Sequence, residues 1–262
     1  MEAEDRIVLL WRGAAHYQIR YRDLTILLDP LYTRPPGDKP HLGEQKDDIE
    51  SVDCLLLTHG HLDHIAFIPF LVDSILDDLV NDPITIHLQR ETLEMLREHI
   101  FNWQIWPDFS KLPDETNPVI KYEVITPEQQ IVIGERLFEA IPVTHTQPAV
   151  GYRVQSADGG SFAFTGDTRS TDRFWEVLNT HPELKILIAE CAYADHEDVL
   201  SQIAGHHRPS TLAEDLGKLQ HRPELYITHQ KPGEEEQIMR ELKQLLNDWE
   251  PKSLQRGQLF EL

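Results

Sequence analysis

LLLTHGHLDH, residues 55–64, is the stretch from which the fold of this chain can be inferred. It begins as an apolar run that is too short for a helix of its own, and it ends with three histidines and an aspartate within six residues. We predict a buried strand ending in His59 and His61, because side chains two positions apart in a strand lie on the same side. Asp63 and His64 would then lie where the chain turns into the next helix, and they would point to an adjacent position.

Length and composition indicate one soluble globular domain. The chain has 262 residues with a hydrophobic content of 40%, which allows a substantial core, and we predict a single domain over residues 1–262. No run reaches the about 18 apolar residues that a membrane span requires, and the acidic N-terminus, residues 1–5, is unlike a secretory signal. We therefore expect a cytoplasmic protein with no membrane partner. Cys54 and Cys191 lie in apolar strand-like runs and are predicted to be reduced core residues.

The charge balance restricts the class of partner. Formal net charge is −21, from 24 basic and 45 acidic side chains. A long polyanion binds mainly through lysine and arginine contacts to its phosphates, so a long nucleic acid is an unfavourable partner. A small anionic substrate is less affected, because bound metal ions dominate the electric field inside a pocket.

Strand-like and helix-like patterns alternate along the chain. Strands come first and then alternate with helices in both halves, which predicts an α/β fold arranged as a four-layer α/β/β/α sandwich. An antiparallel meander is predicted over residues 6–30 and a second set of strands over 122–164. Helices are predicted over residues 65–79, 91–103, 172–179, 210–220 and 234–247.

Two segments stand outside this alternation. Residues 33–48, rich in proline, glycine and charge, predict a loop on the surface or at the mouth of a site, with His41 solvated in it. An aromatic segment contains Trp103, Trp106 and Phe109. We interpret it as a hydrophobic plug over the core, with a wall against a purine or pyrimidine ring as the alternative.

Three further polar residues follow apolar runs and precede turns. They are His145, Asp167 and His229, and Gly166 would allow a tight backbone beside Asp167. Imidazole nitrogens combined with carboxylate oxygens suit Zn²⁺, Mn²⁺ or Fe²⁺. We therefore predict two divalent metal ions, one held by His59, His61 and His145, the other by Asp63, His64 and His229, with Asp167 bridging them.

The predicted ligand count indicates catalysis. Three protein ligands and a bridge would leave each ion an open position, which is typical of catalytic rather than structural sites. Two ions about 3.5–4 Å apart lower the pKa of a shared water and neutralise charge on phosphoryl oxygens. The sequence therefore predicts a hydrolase.

The full set of ligand motifs resembles the metallo-β-lactamase superfamily. Within it, four longer stretches resemble signatures of the class II 3′,5′-cyclic-nucleotide phosphodiesterases: THGHLDHI (58–65), EHIFNWQIWPDF (98–109), THTQPAVGY (144–152) and ITHQKPG (227–233). The resemblance extends over residues 52–245. It implies an enzyme that converts small cyclic nucleotides such as cyclic AMP to 5′-monophosphates, through attack of a metal-bound hydroxide on phosphorus. By analogy with relatives it also implies a homodimer, with a contact around Trp103 and Phe109.

A second pair of elements concerns the leaving group. Glu190-Cys191-Ala192 and GHHRP (205–209) resemble elements shared by these phosphodiesterases and RNase Z. A phosphodiester needs its leaving 3′-oxygen protonated, so we assign His206 as general acid and Glu190 as the carboxylate that orients it. Asp63 joins them in the predicted catalytic set. The alternative for His206 is a cap on the helix starting near Ser210, and the neighbouring His207 is predicted to be solvated.

Residues 1–50 depart from the family pattern. They lack its Gly-rich opening and resemble the start of lactonase-type members instead, so no residue is assigned to binding of the base. Three other functions stay open. An RNase Z-like endonuclease is disfavoured by the net charge of −21. A lactonase or thioester hydrolase with the same metals would not need His206, and a metal-bound sensor would bind a nucleotide without cleaving it.

Overall fold

The structure is a computed structural model, and it describes residues 8–13, 16–21, 24–30, 52–156, 159–255 and 257–262. The loop predicted over residues 33–48, with His41, lies outside these described residues. The chain divides into two compact units, one formed by Met1–Thr126 with Arg256–Glu261, the other by Pro127–Gln255 with Leu262. The assignment of residues 1–262 to a single domain stays a prediction.

Short strands and helices follow one another along the chain. The strands are β1 (Val8–Gly13), β2 (His16–Tyr21), β3 (Leu24–Leu28), β4 (Cys54–Leu56), β5 (Ile84–Leu88), β6 (Pro113–Asp114), β7 (Asn117–Pro118), β8 (Ile120–Val124), β9 (Gln130–Ile133), β10 (Arg136–Val143), β11 (Ala149–Gln155), β12 (Ser161–Phe164), β13 (Ile186–Glu190), β14 (Glu224–Thr228), β15 (Lys252–Ser253) and β16 (Leu259–Glu261). The α-helices are α1 (Leu62–Ile65), α2 (Ile68–Ser74), α3 (Leu76–Leu79), α4 (Arg90–Met95), α5 (Arg173–Asn179), α6 (Asp198–Ala204), α7 (Pro209–Leu216) and α8 (Glu235–Leu245).

The first unit is built on a sheet of order β16-β1-β2-β3-β4-β5-β8. Strands β1, β2 and β3 pair antiparallel, as the predicted opening meander requires, whereas β3, β4, β5 and β8 run parallel. Leu27, Leu55 and Ile86 of the parallel strands pack with Ile68 and Leu71 of α2 in one buried core. The carboxyl ends of β3 and β4 therefore lie side by side.

Two helices predicted for this unit differ from the structure. The helix predicted over 65–79 is divided into α1, α2 and α3, because Pro69 lies at the start of α2, where a missing N–H is tolerated, and cannot continue a preceding helix. The helix predicted over 91–103 leaves α-geometry after Met95, where a π-helical turn, Leu96–Ile100, follows. The side chain of Asn102 then donates to the Glu98 carbonyl and so ends the helix.

The aromatic segment only partly agrees with its predicted role as a plug. Phe109 is 3% exposed, and Trp106 packs against the core of the first unit, as predicted. Trp103, in contrast, is 58% exposed at a backbone φ of 66°. The prediction that Trp103 belongs to this hydrophobic plug is therefore wrong.

The second unit is built on a sheet of order β15-β14-β13-β12-β11-β10-β9. Strands β9 to β12 pair antiparallel and β12 to β15 parallel. Leu187 and Ile227 of the sheet pack with Trp175, Leu212 and Ile238 of α5, α7 and α8. The three helices predicted for this unit are all present, although α7 and α8 end earlier than predicted.

Two simpler predictions concern the cysteines and the membrane. Cys54 and Cys191 are both buried and unpaired with each other, which confirms their prediction as reduced core residues. Of the helices in the described ranges, none is both long and apolar enough to cross a membrane.

Candidate metal centre

The histidine turn of the first unit begins after β4 has ended. Because β4 stops at Leu56, His59 and His61 lie beyond the strand, and the prediction that strand alternation pairs them is wrong. The turn itself brings them together, with Nε2 of His59 3.0 Å from Nδ1 of His61. Two imidazole nitrogens at this separation are close enough to bind one ion.

Asp63 and His64 lie one turn further on, in α1. Oδ2 of Asp63 is 3.8 Å from Nε2 of His64, which gives the unit a second pair of ligand atoms. The His64 side chain is fully buried, whereas 63% of the Asp63 side chain is exposed. The position predicted for this pair, at the start of the helix, agrees with the structure.

Asp29 is a residue of this site that no sequence motif indicates. It follows β3, next to β4, and its Oδ1 accepts from the backbone N–H of Thr58 at 2.8 Å. Its Oδ2 accepts from the Thr58 hydroxyl at 2.7 Å and lies 2.8 Å from Nδ1 of His64. A proton on Nδ1 leaves Nε2 of His64 as the ligand atom, which is how carboxylates commonly orient metal-binding histidines.

In the second unit, the predicted site residues follow the carboxyl ends of neighbouring strands. Asp167 comes after β12, Glu190 ends β13, and His229 follows β14; these three strands are parallel and adjacent. His145 follows β10, which runs in the same direction because two antiparallel pairings separate it from β12. One edge of the sheet therefore collects all four side chains.

Distances at this edge are short enough for metal coordination. Ligand atoms of His145, Asp167 and His206 all lie within 4.8 Å of one another. Oδ1 of Asp167 is 3.3 Å from Nδ1 of His229. Nδ1 of His145 lies 2.8 Å from the carbonyl oxygen of Gly205, so this imidazole also presents Nε2 as its ligand atom.

Glu190 is fully buried and lies beside His206. Its Oε1 lies 3.1 Å from Nδ1 of His206 and accepts from the backbone N–H groups of Thr168 at 3.0 Å and His207 at 3.1 Å. The alternative role of His206 as a helix cap is wrong, since α7 has Arg208 at its N-terminal cap position.

His207 is fully buried, so its prediction as a solvated residue is wrong. Its Nδ1 lies 3.1 Å from the Thr211 hydroxyl, and its Nε2 lies 3.6 Å from Oδ2 of the buried Asp215. The His207 side chain thus contacts two residues of α7. No local sequence pattern indicates this burial.

Burial and neighbouring charges shift the pKa values of the site histidines in this unit in different directions. Burial lowers the pKa of His145 and of His229, which favours the neutral imidazole that metal binding requires. Burial also lowers the pKa of His206, but the Glu190 carboxylate and Asp167 outweigh it, and the pKa is raised overall. The direction of the pKa shift therefore differs between His206 and the other two histidines.

The residues of both units fit divalent ions of the Zn²⁺, Mn²⁺ or Fe²⁺ kind. Imidazole and carboxylate groups supply the donor atoms. His64 and His145 each have Nδ1 at an oxygen acceptor, the arrangement that metal-binding histidines usually show. Each unit by itself holds only part of the predicted ligand sets, so the number of ions stays a prediction.

Comparisons with known proteins agree with this chemistry. Residues 25–230 match the family model described as the beta-lactamase superfamily domain. Over 186 residues the chain is 28% identical to a probable 3′,5′-cyclic-nucleotide phosphodiesterase of Yersinia pestis, covering 65% of this chain and 52% of that protein. Over 200 residues it is 28% identical to a 3′,5′-cyclic-nucleotide phosphodiesterase of Schizosaccharomyces pombe, covering 69% and 53%. The chain thus spans about half the length of these relatives.

Solved structures show the same fold. Unliganded yeast PDE1 is similar with a TM-score of 0.76 at 17% identity, covering 98% of this chain and 100% of that chain. The metallo-beta-lactamase fold protein YhfI from Bacillus subtilis has a TM-score of 0.74 at 18% identity, with the same coverage. The short form of human tRNase Z has a TM-score of 0.63 at 16% identity, covering 97% and 98%. The predicted metallo-β-lactamase fold is confirmed.

The role of Asp29 can be tested with Asp29→Asn. The amide would turn a donor towards Nδ1 of His64 and favour the proton on Nε2, the predicted ligand atom. We expect zinc affinity to fall about 10- to 100-fold, measured by competition with a chromogenic chelator. Asp53→Asn is the matched control, since Oδ2 of Asp53 accepts from the backbone of Thr25 in the same unit. Unchanged zinc affinity in Asp29→Asn would contradict this role.

Burial of His207 predicts a pH-dependent loss of stability. Burial lowers its pKa in the folded state, whereas the unfolded imidazole takes up a proton near pH 6.5, at about its reference pKa. The unfolded state therefore binds more protons below this pH, and stability falls as the pH is lowered through it.

The test compares the pH dependence of unfolding in two variants. We expect His207→Gln to reduce the slope of unfolding free energy against pH between 7.5 and 5.5 by at most about 1.4 kcal/mol per pH unit, measured by urea denaturation. His196→Gln, which changes an exposed histidine of the same unit, should leave the slope as it is. Equal slopes in both variants and the parent would show that His207 does not titrate on unfolding.

Proposed function

This chain belongs to the beta-lactamase superfamily, and from that premise we propose that it is a metal-dependent phosphodiesterase. Its substrates would be 3′,5′-cyclic nucleotides, cyclic AMP first among them, and its products 5′-monophosphates. The observation that carries the proposal is the buried Glu190–His206 pair beside Asp167 and His145. A proton donor held in this way suits a phosphodiester, whose leaving 3′-oxygen must gain a proton.

The metal ligands proposed are those predicted from the sequence. Divalent ions would supply an activated water and would neutralise charge on the phosphoryl oxygens. Zn²⁺, Mn²⁺ and Fe²⁺ all suit these donor groups. The proposed ligands are His59, His61 and His145 for one ion, Asp63, His64 and His229 for the other, and Asp167 for both.

His206 would act on the leaving group. Opening of the ring breaks the bond between phosphorus and the 3′-oxygen, and that oxygen must gain a proton to leave as a hydroxyl. With Nδ1 of His206 held at Glu190, Nε2 carries the proton that is transferred. The carboxylate stabilises the imidazolium before transfer and holds the ring orientation throughout.

An RNase Z-like phosphodiesterase is the second candidate. The Glu190 and His206 elements resemble elements of RNase Z, and human tRNase Z has a similar fold. Against it stands the net charge of −21, which opposes binding of a long polyanion. A small cyclic nucleotide is the better match. Location in the cytoplasm and assembly as a homodimer stay predictions from the sequence.

The acid assignment can be tested with His206→Ala on two substrates. In the metal-reconstituted protein, we expect kcat for cyclic AMP to fall about 10²- to 10⁴-fold. Bis(p-nitrophenyl) phosphate should be affected much less, because its leaving group is a weak base that departs without a proton. Glu190→Gln should likewise lose more activity on cyclic AMP than on bis(p-nitrophenyl) phosphate, but its loss of kcat should be smaller than that of His206→Ala.

Controls separate the acid assignment from the proposed substrate. His196→Ala, at an exposed position of the same unit, should keep full activity. Full turnover of cyclic AMP by His206→Ala would remove the acid assignment and leave the proposed substrate in place, whereas full turnover of a lactone or thioester as the best substrate would favour the lactonase or thioesterase class. No turnover of any cyclic nucleotide by protein with bound Zn²⁺ or Mn²⁺ would overturn the proposed function itself.

A further inference from the structure

Lys231 lies at the edge of the second unit's cluster of site residues, two residues after His229. Its Nζ is 3.4 Å from Nε2 of His229 and 5.7 Å from the ring centroid of Tyr193. Its backbone N–H donates to the carbonyl oxygen of Ala192 at 3.0 Å. The backbone and the head group of this lysine are therefore both fixed beside the site.

The half-buried side chain of Tyr193 lies beside the head group of Lys231. The ring centroid of Tyr193 is 5.9 Å from that of His206, and its backbone N–H donates to the His207 carbonyl at 3.3 Å. The ring face attracts the ammonium, because the π-system carries negative charge above the ring. Tyr193 thus holds the lysine head group on the same side of the unit as the proposed proton donor.

Within the described parts of the chain, no carboxylate oxygen of an Asp or Glu lies at ion-pair distance from Nζ of Lys231. Lys218 and Lys252 in the same unit, in contrast, each have a carboxylate oxygen at 2.7 Å. In a chain with 45 acidic and 24 basic side chains, a fixed ammonium without an acidic partner is available for a bound anion.

We propose that Lys231 binds a non-bridging phosphoryl oxygen of the substrate and that Tyr193 positions it. The identity of the phosphoryl group as a phosphodiester rests on the proposed function. A lysine ammonium is a compact point charge that can follow the phosphoryl oxygens as negative charge shifts during the reaction. Lys231 would thereby add positive charge beside the proposed metal ligands.

The proposal is tested by the binding of inorganic phosphate to the metal-loaded protein, measured by calorimetry. We expect Lys231→Met to weaken phosphate binding about 10- to 100-fold at unchanged metal content. Lys231→Arg should restore most of the affinity because it restores the charge. Lys243→Met is the matched control, since it removes the same charge from an exposed position on α8. A purely structural role would not be rescued by arginine in this way.

Kinetics provide a second readout and separate the two proposals. On bis(p-nitrophenyl) phosphate, Lys231→Met should lose kcat/KM by a similar factor, and Tyr193→Leu should lose less than Lys231→Met. Equal phosphate affinity in the parent and in Lys231→Met would overturn this inference. The parent protein could also cleave no cyclic nucleotide and yet bind phosphate more tightly than Lys231→Met. That combination would support the role of Lys231 and overturn the proposed function.

Discussion

Buried carboxylates that must be satisfied by hydrogen bonds constrain the site residues of both units. An ionised carboxylate removed from water is unfavourable unless donors surround it. In the first unit Asp29 obtains donors from Thr58 and His64, and in the second Oε1 of Glu190 obtains them from Thr168, His206 and His207. The donors belong to the turns that carry the metal-type side chains. These hydrogen bonds therefore also fix those turns.

The two carboxylates have different consequences for the imidazoles beside them. Asp29 selects the tautomer in which His64 presents Nε2, which suits a neutral ligand. Glu190 raises the pKa of His206 despite its burial, which suits a proton donor. The same type of interaction thus orients the ring of His64 in one unit and raises the pKa of His206 in the other. The ammonium of Lys231 lies over the ring of Tyr193, which is next to His206.

The sequence predicts those parts of the site that depend on short-range pattern. The fold class follows from the alternation of strand-like and helix-like patterns, and the closeness of His59 and His61 follows from their short spacing, although a turn and not a strand brings them together. Asp29 cannot be found in this way, because it pairs with Thr58, 29 positions later, across two strands whose pairing no local pattern specifies. The burial of His207 escapes prediction for the same reason, since its backbone N–H donates to Glu190, 17 positions earlier, which no local pattern indicates. Predicted helix ends are wrong where Pro69 and Asn102 interrupt an apolar repeat.

The central claim is that oriented histidines bind two catalytic ions, and anomalous diffraction from crystals grown with zinc tests it most directly. We predict two anomalous peaks about 3.5–4 Å apart. We further predict that His64 and His145 bind through Nε2, because Nδ1 of each is already at an oxygen acceptor. A single peak, or coordination through Nδ1 of these two histidines, would contradict the claim.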